Sequence, residues 1–265
     1  LLSFDITVLF TVLSIIDLLL IEIPRGWGTF LMFLIIGLSS GFLLGVSLTY
    51  PREKIKIPMK NVQVEDVKII SGDIFNLDGY TVIPVNEYYS SEVGEGCLAD
   101  PSSLHGKYIQ NIKGGNIQEY EEEKERALEG QNYEEINYDG KSYKKYPIGT
   151  VAEVPKGRFK YLLLALCHSD LERNKSNANV MDLWNALMKL WEKCKEKVGR
   201  SSVNIPIIGG GFGQIELKPE HIIQLILMSI YHSAKKENII FPINIIIYHE
   251  EYLKYDLYHL KKEWT

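Results

Sequence analysis

The chain has 265 residues, 46% of them hydrophobic and 24% charged, with a net charge of −5. That balance excludes a disordered chain, a collagen-like repeat and a disulfide scaffold, and the mild acidity argues against a nucleic-acid binder. The averages hide an asymmetry: residues 1–50 carry only four charges, Asp5, Asp17, Glu22 and Arg25. Composition therefore predicts a membrane piece joined to a soluble piece.

Two apolar segments open the chain, at about 6–23 and 29–50. The second, Thr29–Tyr50, is uncharged and at 1.5 Å per residue reaches across a hydrocarbon core of ~30 Å. The first carries Asp17 near its centre, at a cost of about 2.5–3.5 kcal/mol on the insertion scale. An acidic start and the lack of an A-x-A motif weigh against a cleavable signal peptide. Pro24 and Gly26 lie in the short link and predict an antiparallel hairpin. Arg52, Lys54, Lys56 and Lys60 follow within about ten residues, so the positive-inside rule places the soluble part in the cytoplasm of a multi-pass membrane protein. Gly37, Gly41 and Gly45 form a ridge at i, i+4, i+8 that suits close helix packing. That ridge, with Asp17 on the polar edge of the first helix, fits either self-association into a homo-oligomer or packing of the hairpin on itself.

From a basic juxtamembrane linker at 51–61 the pattern becomes α/β. Strands are expected at Val67–Ile70, Thr81–Val85, Tyr161–Cys167, Val203–Ile208 and Ile243–Tyr248, several of them apolar nearly throughout, as strands covered on both faces are. Amphipathic helices are expected over Asn179–Val198 and Glu220–Lys235. The stretch 113–147 holds nine acidic and six basic residues; it reads as an exposed charged insertion with a solvated helix and a hairpin around Asp139-Gly140. Residues 62–265 thus predict one three-layer α/β/α domain with a mixed sheet.

Cys97, Cys167 and Cys194 are far apart and odd in number, which argues against disulfides. The six histidines show no metal-ligand spacing, so no metal is expected. The chemistry centres on Ile205–Ile215, where an apolar strand runs into Gly209, Gly210, Gly211, Phe212 and Gly213. Such glycines let backbone N–H groups turn toward a phosphate, although this is neither a P-loop nor a G-x-G-x-x-G fingerprint. Asp73-Ile74 follows one strand, and Asn86 ends the next and opens a loop through Gly94, Glu95 and Gly96. Ligands bind beyond the carboxyl ends of strands in open α/β sheets. An Asp there can accept from an exocyclic amine, and an Asn can bind ribose hydroxyls; the plainer roles are a helix cap and a strand terminator.

These stretches in this order resemble a macro domain over about Val62 to Tyr248. The resemblance implies a binder of ADP-ribose derivatives, with Asp73 at the adenine amino group, Ile74 beside the base and Asn86 at the distal ribose. Gly94–Gly96 and Gly209–Gly213 would then cradle the diphosphate, with Phe212 near the distal ribose. Glu87-Tyr88-Tyr89 stands where hydrolytic macro domains continue with a second Asn, so no catalytic residue is assigned. Glu87, Tyr88, Glu92 or Glu95 could instead meet a further ligand group. The membrane hairpin, V-N-E-Y at 85–88 and S-L-H-G-K at 103–107 are similar to the transmembrane–macro effectors of bacterial Thoeris antiphage systems. That likeness implies a bacterial membrane effector without a cofactor, activated by a nucleotide signal that a TIR-domain enzyme makes from NAD. The implied signal is histidine–ADP-ribose, and the outcome is assembly, damage to membrane lipid and cell death. A membrane-tethered ADP-ribosyl hydrolase and a scaffold that binds only protein partners are the alternatives.

Overall fold

The computed structural model describes residues 27–49, 54–95, 97–208, 215–252 and 254–264. The chain divides into two compact units, Leu1–Arg52 and Glu53–Thr265. In the first, helix α1 spans Trp27–Thr49, 23 residues without an ionisable side chain. Its side chains are described over 27–42 apart from Thr29 and Phe33, and there Trp27, Phe30, Leu34, Leu38 and Phe42 are exposed. The hydroxyls of Ser39 and Ser40 bond back to the carbonyls of Ile36 and Gly37 at 3.1 Å each, which satisfies them within the helix. A Cβ at Gly37 or Gly41 would meet nothing within 4 Å. Asp17, the 6–23 segment and the surroundings of Gly45 lie outside the described residues. Among the described residues no helix is long and apolar enough to cross a membrane.

The second unit is a mixed sheet with helices on both faces. Its strands are β1 (Lys54–Lys56), β2 (Val64–Ser71), β3 (Tyr80–Asn86), β4 (Glu134–Tyr138), β5 (Lys141–Lys145), β6 (Val151–Lys156), β7 (Phe159–Asp170), β8 (Lys175–Asn177), β9 (Val203–Pro206) and β10 (Ile239–Ile247). The sheet order is β1-β2-β10-β9-β3-β7-β6, with β8 on β7 and β4-β5 as a separate hairpin. The run β2-β10-β9-β3-β7 is parallel, while β1, β6 and β8 pair antiparallel. These five parallel strands are the five expected ones. The strand expected to reach Ile208 stops at Pro206 instead, and the basic stretch expected as a linker supplies β1, because Ile57 just after it is buried in the core.

Alternation along the strands divides the core. On β7, Leu162, Leu164 and Leu166 face a large cluster with helices α4 (Val180–Lys197) and α5 (Pro219–Lys236). Tyr161, Leu163 and Ala165 face a smaller, tyrosine-rich cluster on the other side. That second layer is a short helix α2 (Leu104–Lys107), a π-helical turn at Tyr108–Ile112 and helix α3 (Ile117–Ala127). Short helices α6 (His249–Tyr252) and α7 (Leu257–Glu263) close the chain.

Helix α4 starts where Asn179 accepts from the N–H groups of Met181 and Asp182, while Asp182 accepts from Asn179, a complete capping box. Trp191 of α4 is fully buried and donates from Nε1 to Ser229 Oγ of α5 at 2.9 Å; that hydroxyl passes its own proton to Ile226 O at 2.7 Å.

The charged stretch 113–147 is not a detached insertion. Tyr120 is fully buried, its hydroxyl donates to Tyr89 O at 3.2 Å, and Leu128 and Tyr146 join the second cluster. Lys113 is buried too, paired with Glu123 and with Glu119 at 3.6 Å. A helix with charges on most faces can still insert one apolar edge, and that edge here is Tyr120.

Two outcomes test this packing. Trp191→Ala should cost about 3–5 kcal/mol in chemical denaturation, and Trp191→Phe less, because only the Ser229 bond and part of the ring are lost; a Trp191→Phe variant as stable as wild type would refute the role of the indole N–H. The second concerns His105 on α2, buried and held well below the usual imidazole range, at about 3, first by burial and then by Lys124. Between about pH 6.5 and 3 the unfolded chain carries a proton there that the folded chain does not. Stability from this group is therefore lost as pH falls, by up to about 1.4 kcal/mol per pH unit. Urea titrations of wild type and His105→Gln should diverge below pH 6.5 and run parallel above 7; parallel profiles throughout would contradict the buried neutral state.

Candidate functional site

All five parallel strands point the same way, so their carboxyl ends share one edge, and a cleft of about 1060 Å³ lies along it. Its floor is the strand tips and the residues just past them: Gly72, Asn86, Cys167, Pro206 and Ile247. Asp73 lines one end beyond β2, and Asn86 lines the other at the tip of β3. Three strand spacings separate β2 from β3, roughly 14 Å. One wall is the segment Cys97–Asn111 with His105 and Lys107; another is the β7–β8 hairpin at Asn174–Ser176; a third includes Glu251 and Tyr255.

Asp73 caps a 3₁₀ turn at Ile74–Asn76, accepting from Phe75 N at 3.0 Å and from Asn76 Nδ2 at 3.1 Å. Each carboxylate oxygen retains a free lone pair for a further donor. Ile74 is buried and lines the cleft beside it.

Asn86 is held by its own turn. Its Oδ1 accepts from Tyr88 N at 3.0 Å, Ser90 N at 3.3 Å and Ser90 Oγ at 3.2 Å, and its Nδ2 donates to Leu98 O at 3.4 Å. One N–H of the amide remains for a ligand. Register slips between Val85 and Asn86, so that Val85 faces Ala165 but Asn86 faces Cys167. The slip skips Leu166, which lines the cleft.

Glu87 turns away from the cleft. It is 2% exposed; its Oε1 accepts from Ser169 N at 3.0 Å and its Oε2 meets His168 Nδ1 at 2.9 Å. The other ring nitrogen of His168 lies 3.3 Å from Asp182 Oδ1, and Lys145 Nζ stands 3.8 Å from Glu87. This buried carboxylate ties the tip of β3 to the tip of β7 and is not among the residues that line the cleft. Cys167 beside it is pushed up to about 12 by burial, then by Asp182 and Glu87, which keeps it a thiol rather than a nucleophile.

The structure thus brings Asp73, Ile74 and Asn86 to one cleft. Gly94 and Glu95 are outside its lining, with Gly94 N bonded to Ala99 O at 3.2 Å and Glu95 exposed. Gly96 and the loop of Gly209, Gly210, Gly211, Phe212 and Gly213 lie outside the described residues, although Ile207 and Ile208 bring the chain into the cleft just before that loop. Sequence reasoning missed His105 as a lining group and the Glu87–His168–Asp182 chain. The first had a signal, a His flanked by an N-capping Ser103 and by Gly106; the second joins residues far apart and had none. No group of His, Cys, Asp and Glu suited to a metal occurs among the described residues.

No curated protein matches the chain. Among solved structures it is similar to the Oceanobacillus iheyensis macrodomain with ADP, at 14% identity and TM-score 0.51, over 79% of this chain and 97% of that one. A variant of that macrodomain with ADPR matches at 15% identity and TM-score 0.50, over 80% and 97%. These likenesses place the fold among macrodomains. The family model of the macro domain of Thoeris protein ThsA matches residues 67–248, most of the chain and all five parallel strands. The chain belongs to the Thoeris ThsA macro-domain family.

Proposed function

We propose that this protein is a membrane-anchored receptor in antiphage defence whose macro domain binds an ADP-ribose derivative. One observation carries the reading: in a chain of this family, a long cleft along five strand tips has an acceptor-rich Asp73 at one end and Asn86 at the other. Asp73 takes the adenine amino group and Asn86 uses its spare N–H on the distal ribose. The ligands of the similar macrodomains, ADP and ADPR, support this class. The signal is histidine–ADP-ribose, made from NAD by a TIR-domain partner. Binding drives homo-oligomer assembly through the uncharged helix α1 and its partner segment at 6–23, and the assembly damages the bacterial membrane. The same commitment of the Asn86 carbonyl to Tyr88 and Ser90 supports binding over hydrolysis, because that oxygen has no lone pair left for a water.

Calorimetric titration of the full chain with ADP-ribose, NAD and histidine–ADP-ribose tests the reading. Tight binding of the conjugate, recovered chemically unchanged, is the expected result. Asp73→Asn keeps the acceptor that caps the 3₁₀ turn yet replaces an adenine-facing oxygen with a donor, so it should weaken binding about tenfold without unfolding the domain. Absence of binding to all three ligands, or release of ADP-ribose from the conjugate, would overturn the receptor.

A further inference from the structure

His105 lies on the β3 wall of the cleft, and the local chain is built to hold it there. Ser103 caps α2 by accepting from Gly106 N at 3.0 Å. A Cβ on residue 106 would stand 2.1 Å from Asp100 O, so glycine there lets α2 press against the preceding loop. The His105 ring is 4% exposed. Its Nε2 lies 3.1 Å from Tyr120 Oη, and Tyr120 spends its only proton on Tyr89 O at 3.2 Å. Tyr120 can therefore only accept from His105, which fixes the proton on Nε2 and leaves Nδ1 as a bare lone pair.

Among the described residues no donor reaches Nδ1. The residue lines the cleft, which puts the ring beside the space a ligand would fill. Desolvation keeps the ring neutral, so a second proton does not fill the lone pair. An acceptor with no donor of its own, in a cleft, is half of a hydrogen bond.

We propose that His105 Nδ1 is a specificity-determining acceptor that takes a hydrogen bond from a neutral hydroxyl or N–H on the half of the ligand farther from adenine. The assignment to that half follows from position: α2 packs on β3, whose tip is Asn86, whereas Asp73 lies beyond β2. The same lone pair repels a carboxylate or phosphate oxygen placed directly against it, so the group that meets Nδ1 is a neutral donor. This inference rests on the ligand class assigned to the cleft above.

Three variants of the full chain separate the roles of the ring. His105→Gln keeps a donor to Tyr120 and removes the acceptor at the δ position; His105→Asn does the reverse. Asp73→Asn serves as the control for the other end. With ADP-ribose and histidine–ADP-ribose as probes, His105→Gln should bind about tenfold more weakly, while His105→Asn stays within about threefold of wild type. ADP, which lacks the second sugar, should bind wild type and His105→Gln alike. In ¹⁵N spectra of the wild type, ligand should move the Nδ1 resonance and leave Nε2 protonated. Equal affinity of His105→Gln and wild type, with Asp73→Asn still defective, would overturn this role and leave the receptor standing. Wild type that binds neither probe would overturn both.

Discussion

Burial of five parallel strands on both faces is the constraint from which the rest of this domain follows. Side chains on β3 and β7 alternate into two apolar clusters, so almost no position along them is open to polar chemistry. The internal exceptions satisfy one another: Asn244 on β10 donates to Asn204 on β9 at 2.8 Å, and Asn204 donates to Asp78 O at 3.0 Å. Functional groups are thereby driven to the ends of the strands. Because all five run in parallel, the carboxyl ends lie together, and the loops that leave them enclose one continuous cleft.

What distinguishes the β3 end of that cleft is a slip of register. An extra residue on one strand of a pair bends it and re-aims the side chains that follow. Here the extra residue is Leu166 of β7, which lines the cleft; on β3 alternation leaves Asn86 at the cleft floor and points Glu87 the other way, where Ser169 N and His168 hold it. Two residues later Tyr89 adopts a left-handed φ of 50°, a conformation that non-glycine residues hold only where their surroundings compel it. The compulsion is visible. The Tyr89 ring is buried, its hydroxyl donates to Thr150 O at 2.7 Å, and its own carbonyl accepts from Tyr120. Tyr120 then accepts from His105. The turn after Asn86 and the wall that carries His105 are thus two ends of one hydrogen-bonded chain through the second core.

The parallel core was readable because double-sided burial leaves unbroken apolar runs in sequence, and the helices α4 and α5 because their stripes and caps are local. Antiparallel edges such as β1, β6 and β8 were not, since a strand covered on one face or less carries polar residues that resemble loop. The stretch 113–147 misled for a related reason. Its charge hides Tyr120, and no periodicity marks a single tyrosine as the residue that seals a second core. At the site, Asp73 and Asn86 follow strands and announce themselves. Glu87 reads equally well as a ligand-facing acid, and only its partners on β7, His168 and Ser169 N, which are distant in sequence, show that it is held inward.

The charge pattern of the cleft bears on how an anionic ligand would be recognised. Lys107 and Lys175 reach its rim from exposed positions, and Asp73, Asp100 and Glu251 offset them. No buried cation of the described residues lines the cleft, in contrast to sites that clamp phosphate between arginines. A diphosphate here would have to be held by backbone N–H groups, which carry no net charge and do not titrate. Such a site gains little from long-range attraction and loses little to salt. It must then discriminate by the pattern of neutral donors and acceptors, in which one misplaced acceptor costs the full desolvation of an unmade bond. A chain with a net charge of −5 can bind a dianion on these terms, provided that its few fixed acceptors, Asp73 and His105, face the parts of the ligand that donate.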